Sequence, residues 1–154
     1  VTIHYLDSSA WVKRYFEEAG SGRIHRLFQD KELLAASSLG RVEVAAAIAR
    51  QSSSRRISSD RIGDDVRTLI ESQMDREWGL FLQAEAGVGD FVSAVELART
   101  YALRGADAIH LAIVCRLHGE FRATGDRLVF QTADAELVEA GRTAGLWVEN
   151  PLTP

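Results

Sequence analysis

Thr2–Ala10 reads TIHYLDSSA, and the fold is decided there. Ile3, Tyr5 and Leu6 make a short apolar, β-prone run. Asp7-Ser8-Ser9 interrupts it, and from Ala10 to Phe16 the pattern is helical. The stretch therefore reads as strand, turn and helix. A strand that opens a domain and feeds a helix belongs mid-sheet in a parallel α/β fold, where ligands gather outside the carboxyl ends of the strands. Asp7 would stand at that edge. Two readings of it are open: Asp7, Ser8 or Ser9 caps the helix by accepting from free N–H groups, or Asp7 is a working carboxylate.

Working outward, Ser21 to Gln29 patterns as a short helix and Leu33 to Ala36 as a short buried strand. Ser37 to Arg50, SSLGRVEVAAAIAR, is a helix with a serine N-cap signal and an apolar face. Glu43 sits on that face with Leu39, Gly40, Ala46 and Ala47 at i±3 and i±4, so its own helix offers no basic partner. It either snorkels to solvent or points into a polar site. Gln51 to Ser59 is the most loop-like stretch, and it leads to a helix of about Asp60 to Arg76 carrying Ile62, Val66, Leu69, Ile70 and Met74 at helical spacing. The two helices should form an antiparallel hairpin over about 38–76. Arg50, Arg55, Arg56 and Arg61 cluster at its tip, either as a solvated loop or as a patch facing phosphate.

Trp78 to Leu82 reads as a third strand, followed by helices of about Gly89 to Tyr101 and Asp107 to His118. The second is apolar nearly all round and should be buried. Asp107 opens it as an N-cap or as a charge that needs a partner, a cation or water. Leu128 to Gln131 is a fourth strand, then Thr132-Ala133-Asp134, a helix from Ala135 to Ala144 and a last strand from Leu146 to Val148. Both Asp126 and Asp134 lie in a Thr-x-Asp-x-x-Leu pattern. The three large apolar residues before Asp134 mark it as the strand-to-helix junction, and Gly125-Asp126 as the turn that starts the strand. Strands and helices mostly alternate without repeat or linker, so a single three-layer α/β domain over residues 1–154 is expected, its central sheet mainly parallel and of four to five strands.

The 154 residues suffice for one core without staples, and 46% hydrophobic with 26% charged residues is ordinary for a soluble globular chain. The apolar runs are too short to span a bilayer, so no membrane association is expected. Val1 to Leu6 lacks the basic region of a signal peptide, and a cytoplasmic location is the expectation. Cys115, the only cysteine, excludes a disulfide within the chain and reads as core filler. A net charge of −4 and a pI near 5.6 argue against gripping nucleic acid through a broad basic surface, so phosphate binding must be local or metal-assisted.

Four acids share one context. Asp7 and Asp134 follow strands, while Glu43 and Asp107 lie on otherwise apolar helices. Carboxylates brought together repel and raise one another's pKa unless a cation neutralises them. Oxygen-only ligation suits a hard ion such as Mg²⁺ or Mn²⁺. His110, one turn after Asp107, is either a general base or a structural hydrogen-bonding residue of a buried helix.

These motifs resemble those of the PIN-domain ribonucleases, and within them the VapC-type toxins of bacterial toxin-antitoxin pairs. YLDSSA (5–10) resembles the first acidic motif, SSLGRVEVAAA (37–47) the glutamate helix, LRGADAIHLA (103–112) the third acidic motif, and VFQTADAELVEAGRTAGLWVENP (129–151) the closing strand, acid, helix and strand. The four occur in order and span essentially the whole chain. The resemblance implies a PIN fold and an Mg²⁺- or Mn²⁺-dependent endoribonuclease acting on an RNA substrate, with Asp7, Glu43, Asp107 and Asp134 as the acidic quartet. Asp7 and Asp107 would be direct ligands, and Glu43 and Asp134 would act directly or through water. Ser8 would hold a carboxylate or a metal-bound water, and Thr132 would brace Asp134. It also implies a homodimer restrained by a small cognate antitoxin, or, alternatively, a PIN nuclease of RNA processing with no toxin role.

Two rivals come from other classes. Aspartyl-phosphate phosphatases also open with a strand ending in Asp, but need a second Asp two residues on, where this chain has Ser9. No GxxxxGK[ST] phosphate loop occurs either. A non-catalytic α/β binding module would use the acids as caps and surface groups, and would show no metal dependence.

Overall fold

The structure is a computed structural model that describes residues 1–53 and 61–153. The elements run β1 (Thr2–Leu6), α1 (Ser8–Trp11) continuing into a 3₁₀ turn (Val12–Arg14), α2 (Ser21–Gln29), β2 (Leu33–Ala36), α3 (Ser38–Ser52), α4 (Asp64–Trp78), β3 (Phe81–Gln83), α5 (Val88–Tyr101), α6 (Gly105–Thr124), β4 (Arg127–Gln131), α7 (Ala135–Thr143) and β5 (Trp147–Glu149). The five strands form one sheet in the order β3-β2-β1-β4-β5, with every pairing parallel. The chain builds outward from β1 to β3 on one side and then crosses to place β4 on the other. This makes the gap between the carboxyl ends of β1 and β4 the topological switch point, where parallel sheets open a crevice.

Alternation along the strands divides the core into two layers. Ile3, Tyr5, Ala35, Leu128 and Phe130 pack under α5, α6 and α7 with Leu111, Ile113, Leu137 and Ala140. Leu6, Leu34, Ala36 and Phe81 face the other way, toward Trp11, Ile24, Val44, Ile48 and Met74. Helices therefore cover both faces of a parallel sheet, the three-layer α/β arrangement expected of a PIN-like fold.

Several boundaries differ from the expectations. The first helix stops at Trp11 and tightens into the 3₁₀ turn instead of running to Phe16. Trp78 is not in a strand: α4 continues through it, its ring stacks on Trp11 at 5.8 Å, and β3 begins only at Phe81. Local β propensity yields here to aromatic packing between α1 and α4. Val66 and Leu69, read as an inward face, are exposed, and Met74 and Glu77 are the buried residues of α4. The longest helix starts at Gly105 and extends six residues past His118 before Gly125, at φ +83°, ends it. Its last turns are polar outside, with Arg116 and Glu120 paired, so no apolar period announces them. Cys115 is half-buried in this helix, and burial pushes its thiol pKa up. Arg55, Arg56 and the start of the expected second hairpin helix at Asp60 lie outside the described residues. No described helix is long and apolar enough to cross a membrane.

Candidate active site

The backbone of β1 delivers Asp7 to the switch point: its N–H donates to the Gln131 carbonyl at the end of β4. The side chain is almost fully buried, 2% exposed, and both of its oxygens are hydrogen-bonded. Oδ1 accepts from the Ala10 N–H (2.9 Å) and from Ser9 Oγ (2.7 Å), while Oδ2 accepts from Thr132 Oγ1 (2.6 Å). Asp7 is thus the N-cap of α1, so the capping reading holds. Capping leaves open what else the carboxylate does. Burial raises its pKa, and this outweighs the opposing pull of the His110 ring and of the Thr132, Ser9 and Ala10 hydrogen bonds.

Ser9, rather than Ser8, is the serine on Asp7. It also accepts the Ala133 N–H at 2.9 Å, tying the start of α1 to the loop after β4. Ser8 hydrogen-bonds Glu43 instead. Thr132 serves both acids, donating to Asp7 and accepting the Asp134 N–H at 3.2 Å. Asp134 caps α7, with Oδ1 taking the Glu136 and Leu137 N–H groups at 2.9 and 3.0 Å. Its other oxygen is left for the cleft.

Glu43 finds on α6 the partner that α3 does not offer. His110 Nε2 lies 2.7 Å from Glu43 Oε2, and His110 Nδ1 lies 2.9 Å from the Tyr5 hydroxyl. The Tyr5 hydroxyl in turn bonds Ser37, whose Oγ accepts the Gly40 N–H at the start of α3. An ionised Glu43 can only accept, so His110 Nε2 carries the proton of that bond, while Nδ1 accepts from the Tyr5 hydroxyl on a neutral ring and donates to it on an imidazolium. Burial works against ionisation of Glu43, but the His110 hydrogen bond and charge, with Ser8, outweigh it and hold the carboxyl below its usual range. Burial pushes the Tyr5 phenol up, so it stays protonated.

Asp107 and Asp134 share a cation. Arg104 Nε donates to Asp107 Oδ2 at 3.0 Å and its Nη2 to Asp134 Oδ2 at 3.3 Å. Thr132 and Arg104 therefore link Asp7, Asp134 and Asp107 in one chain, while Glu43 is held separately by His110 and Ser8. No three His, Cys, Asp or Glu side chains among the described residues gather closely enough to hold one ion. Sequence reasoning passed over Arg104, Tyr5 and Ser37. Arg104 had a signal, its i,i+3 spacing to Asp107 on one helix face.

Of the tip arginines, Arg50 borders a hollow of ≈ 400 Å³ lined also by Ser8, Ser9, Val12, Val42 and Glu43. Arg61 donates to the Ser52 carbonyl at 3.1 Å, at the C-terminus of α3.

No family model matches the chain. Two curated relatives, Ribonuclease VapC45 and Ribonuclease VapC49 of Mycobacterium tuberculosis (strains CDC 1551 / Oshkosh and ATCC 25618 / H37Rv), are each 34% identical over 113 residues, covering 70% of this chain and 72% of their own. Among solved structures, VapBC2 from Rickettsia felis bound to a DNA fragment from its promoter superposes with a TM-score of 0.63 at 13% identity, over 96% of this chain and 98% of the other. FitAcB from Neisseria gonorrhoeae gives 0.62 at 15% identity, over 98% and 99%. At such identities the likeness to the two structures is one of fold.

Proposed function

The chain belongs to the VapC family of ribonucleases, and from that premise we propose that it is a metal-dependent endoribonuclease, the toxin of a toxin-antitoxin pair. The observation that carries the reading is the placement of Asp7 and Asp134 at the β1/β4 switch point, with Asp107 joined to Asp134 through one guanidinium and Glu43 held at the same edge. The donor set suits Mg²⁺ or Mn²⁺: every candidate ligand is a carboxylate oxygen, and two of them already hold a positive charge. Asp7 and Asp107 would be direct ligands, with Glu43 and Asp134 direct or through water.

A bound divalent ion supplies Lewis-acid chemistry, lowering the pKa of the attacking water and stabilising charge on the phosphoryl oxygens and the leaving 3′ oxygen. The chain's own residues do the rest. Ser9, Thr132 and the Ala10 N–H fix the Asp7 carboxylate from three directions. His110 orients Glu43 and keeps it ionised, which is a positioning role. Arg50, together with Arg55, Arg56 and Arg61, provides a local positive charge for the RNA backbone on an otherwise acidic protein.

The exposed face of α5 supports a homodimer. Val88, Phe91, Val92 and Val95, at helical spacing, are all about half or more exposed, and Phe91 and Val95 border an apolar hollow against Ile109 of α6. A small antitoxin is the proposed second partner, with an arginine or lysine suited to the acidic cleft. The deciding experiment incubates the purified protein with a set of structured RNAs in Mn²⁺ or in EDTA and maps the new ends. Cleavage in Mn²⁺ alone is expected, and a protein inert toward every RNA in both would favour the binding-module reading.

A further inference from the structure

Arg104 bridges two acids of the cleft, yet is itself loosely held. It is the N-cap of α6, with extended backbone (φ −66°, ψ 156°), so its Cα is fixed by the helix that follows and by the buried Leu103 before it. Its side chain is 75% exposed, against 14% for Asp107 and 23% for Asp134. Ion pairs with so exposed a partner hold weakly. Beside it opens a hollow of ≈ 500 Å³ lined by Ala102, Asp134, Ala135 and Glu136, which leaves the guanidinium room to turn.

Both bonds of Arg104 end on Oδ2 atoms, one of Asp107 and one of Asp134, so a single guanidinium bridges the two carboxylates. A divalent cation binding the same two oxygens could not share them with a guanidinium, because like charges at contact distance repel. Yet with neither cation present, Asp107 and Asp134 would repel each other. We propose that Arg104 exchanges partners: it holds Asp107 and Asp134 together while no ion is bound, yields them to the divalent cation, and turns its guanidinium to a phosphate of the RNA at the mouth of the cleft. The planar fork that spans two carboxylates also matches two phosphate oxygens. The inference rests on the metal-dependent nuclease reading.

The test measures binding rather than turnover. Mn²⁺ affinity is read by calorimetry without RNA, and affinity for a fluorescein-labelled mixed-sequence RNA by anisotropy in Ca²⁺, with intact RNA verified on a gel. Arg104→Ala is expected to bind Mn²⁺ severalfold more tightly than wild type, and RNA severalfold more weakly with a shallower salt dependence. Arg104→Lys, which keeps the charge and loses the fork, should fall between them on both axes. Mn²⁺ bound equally by wild type and Arg104→Ala, or RNA bound equally by both, overturns the exchange and leaves the nuclease reading standing. Absence of Mn²⁺ binding in wild type and variant alike would instead sink the metal-dependent reading, and the exchange with it.

Discussion

His110 and Glu43, on two helices that meet only through tertiary packing, lie 2.7 Å apart from Nε2 to Oε2, with the His110 ring 1% exposed. A carboxylate on a mainly apolar helical face is thereby held ionised at the cleft by a ring that the β1 tyrosine anchors from behind.

Replacing His110 by Ala should cost about 2–4 kcal/mol, from a cavity and from the lost hydrogen bond to the buried Tyr5 hydroxyl. Because the folded pKa of Glu43 lies below its ordinary 4.5, its ionised form contributes stability above that pH, and the contribution is lost as pH falls through the folded value. The stability gap between wild type and His110→Ala should therefore narrow on acidification through the carboxylate range, as read by urea melts at a series of pH values. Mn²⁺-supported cleavage should fall about 10–100-fold, as when a residue orienting a metal ligand is lost. Unchanged melts and unchanged cleavage would remove the His110 chain from the site.

Asp7 has the opposite sign. Burial raises its folded pKa above 3.8, so the stability linked to its protonated form is complete below that value and is lost as pH rises through the folded pKa. Asp7→Asn keeps an acceptor for the Ala10 N–H and carries no charge. In EDTA it should melt at or above the wild-type temperature near neutral pH, with the difference vanishing in acid, while Mn²⁺-supported RNA cleavage is abolished. A clearly destabilised Asp7→Asn at neutral pH would show that the buried charge is better compensated than its surroundings suggest.

Asp134 and Asp126 occupy the two ends of β4. Asp126 pairs with the Val1 amino group at 2.8 Å and accepts from Thr124, far from the cleft. Asp134→Asn should impair cleavage severalfold or more while the Asn still caps α7, whereas Asp126→Asn should stay within about twofold of wild type. Asp134→Ala should lose a further ~0.5–2 kcal/mol of stability with the cap. The reverse ranking in cleavage would move the fourth acid to Asp126.

Arg50→Ala should raise KM more than it lowers kcat, and should flatten the salt dependence of RNA binding, because a phosphate contact contributes through counterion release. Equal salt slopes in filter-binding titrations would assign Arg50 to solvent.

Val92→Glu should turn a homodimer into a monomer without lowering the melting temperature, since the side chain is 66% exposed in the single chain. Light scattering coupled to size-exclusion chromatography reads the mass directly. A monomeric wild type would exclude the α5 face as a homodimer contact.

The sequence by itself determined that there are five strands and where most of the helices lie, because those depend on short-range pattern. Ile3-His4-Tyr5-Leu6 running into Asp7-Ser8-Ser9 specifies strand and turn locally, and Leu128 to Gln131 before Thr132-Ala133-Asp134 does the same at the other end of the chain. The order of the sheet, the stacking of Trp78 on Trp11 that keeps it helical, and the partners of each acid were decided only by the tertiary structure. Thr132 reaches Asp7 across 125 positions and His110 reaches Glu43 across 67. No local period encodes such pairings, which exist only because the parallel crossovers bring the ends of β1 and β4 and the face of α6 to one edge. Ser9 was separated from Ser8, and Arg104 was assigned to two carboxylates, by the same cause: the rotamers and distances that choose a hydrogen-bond partner are fixed by packing once the chain has closed on itself.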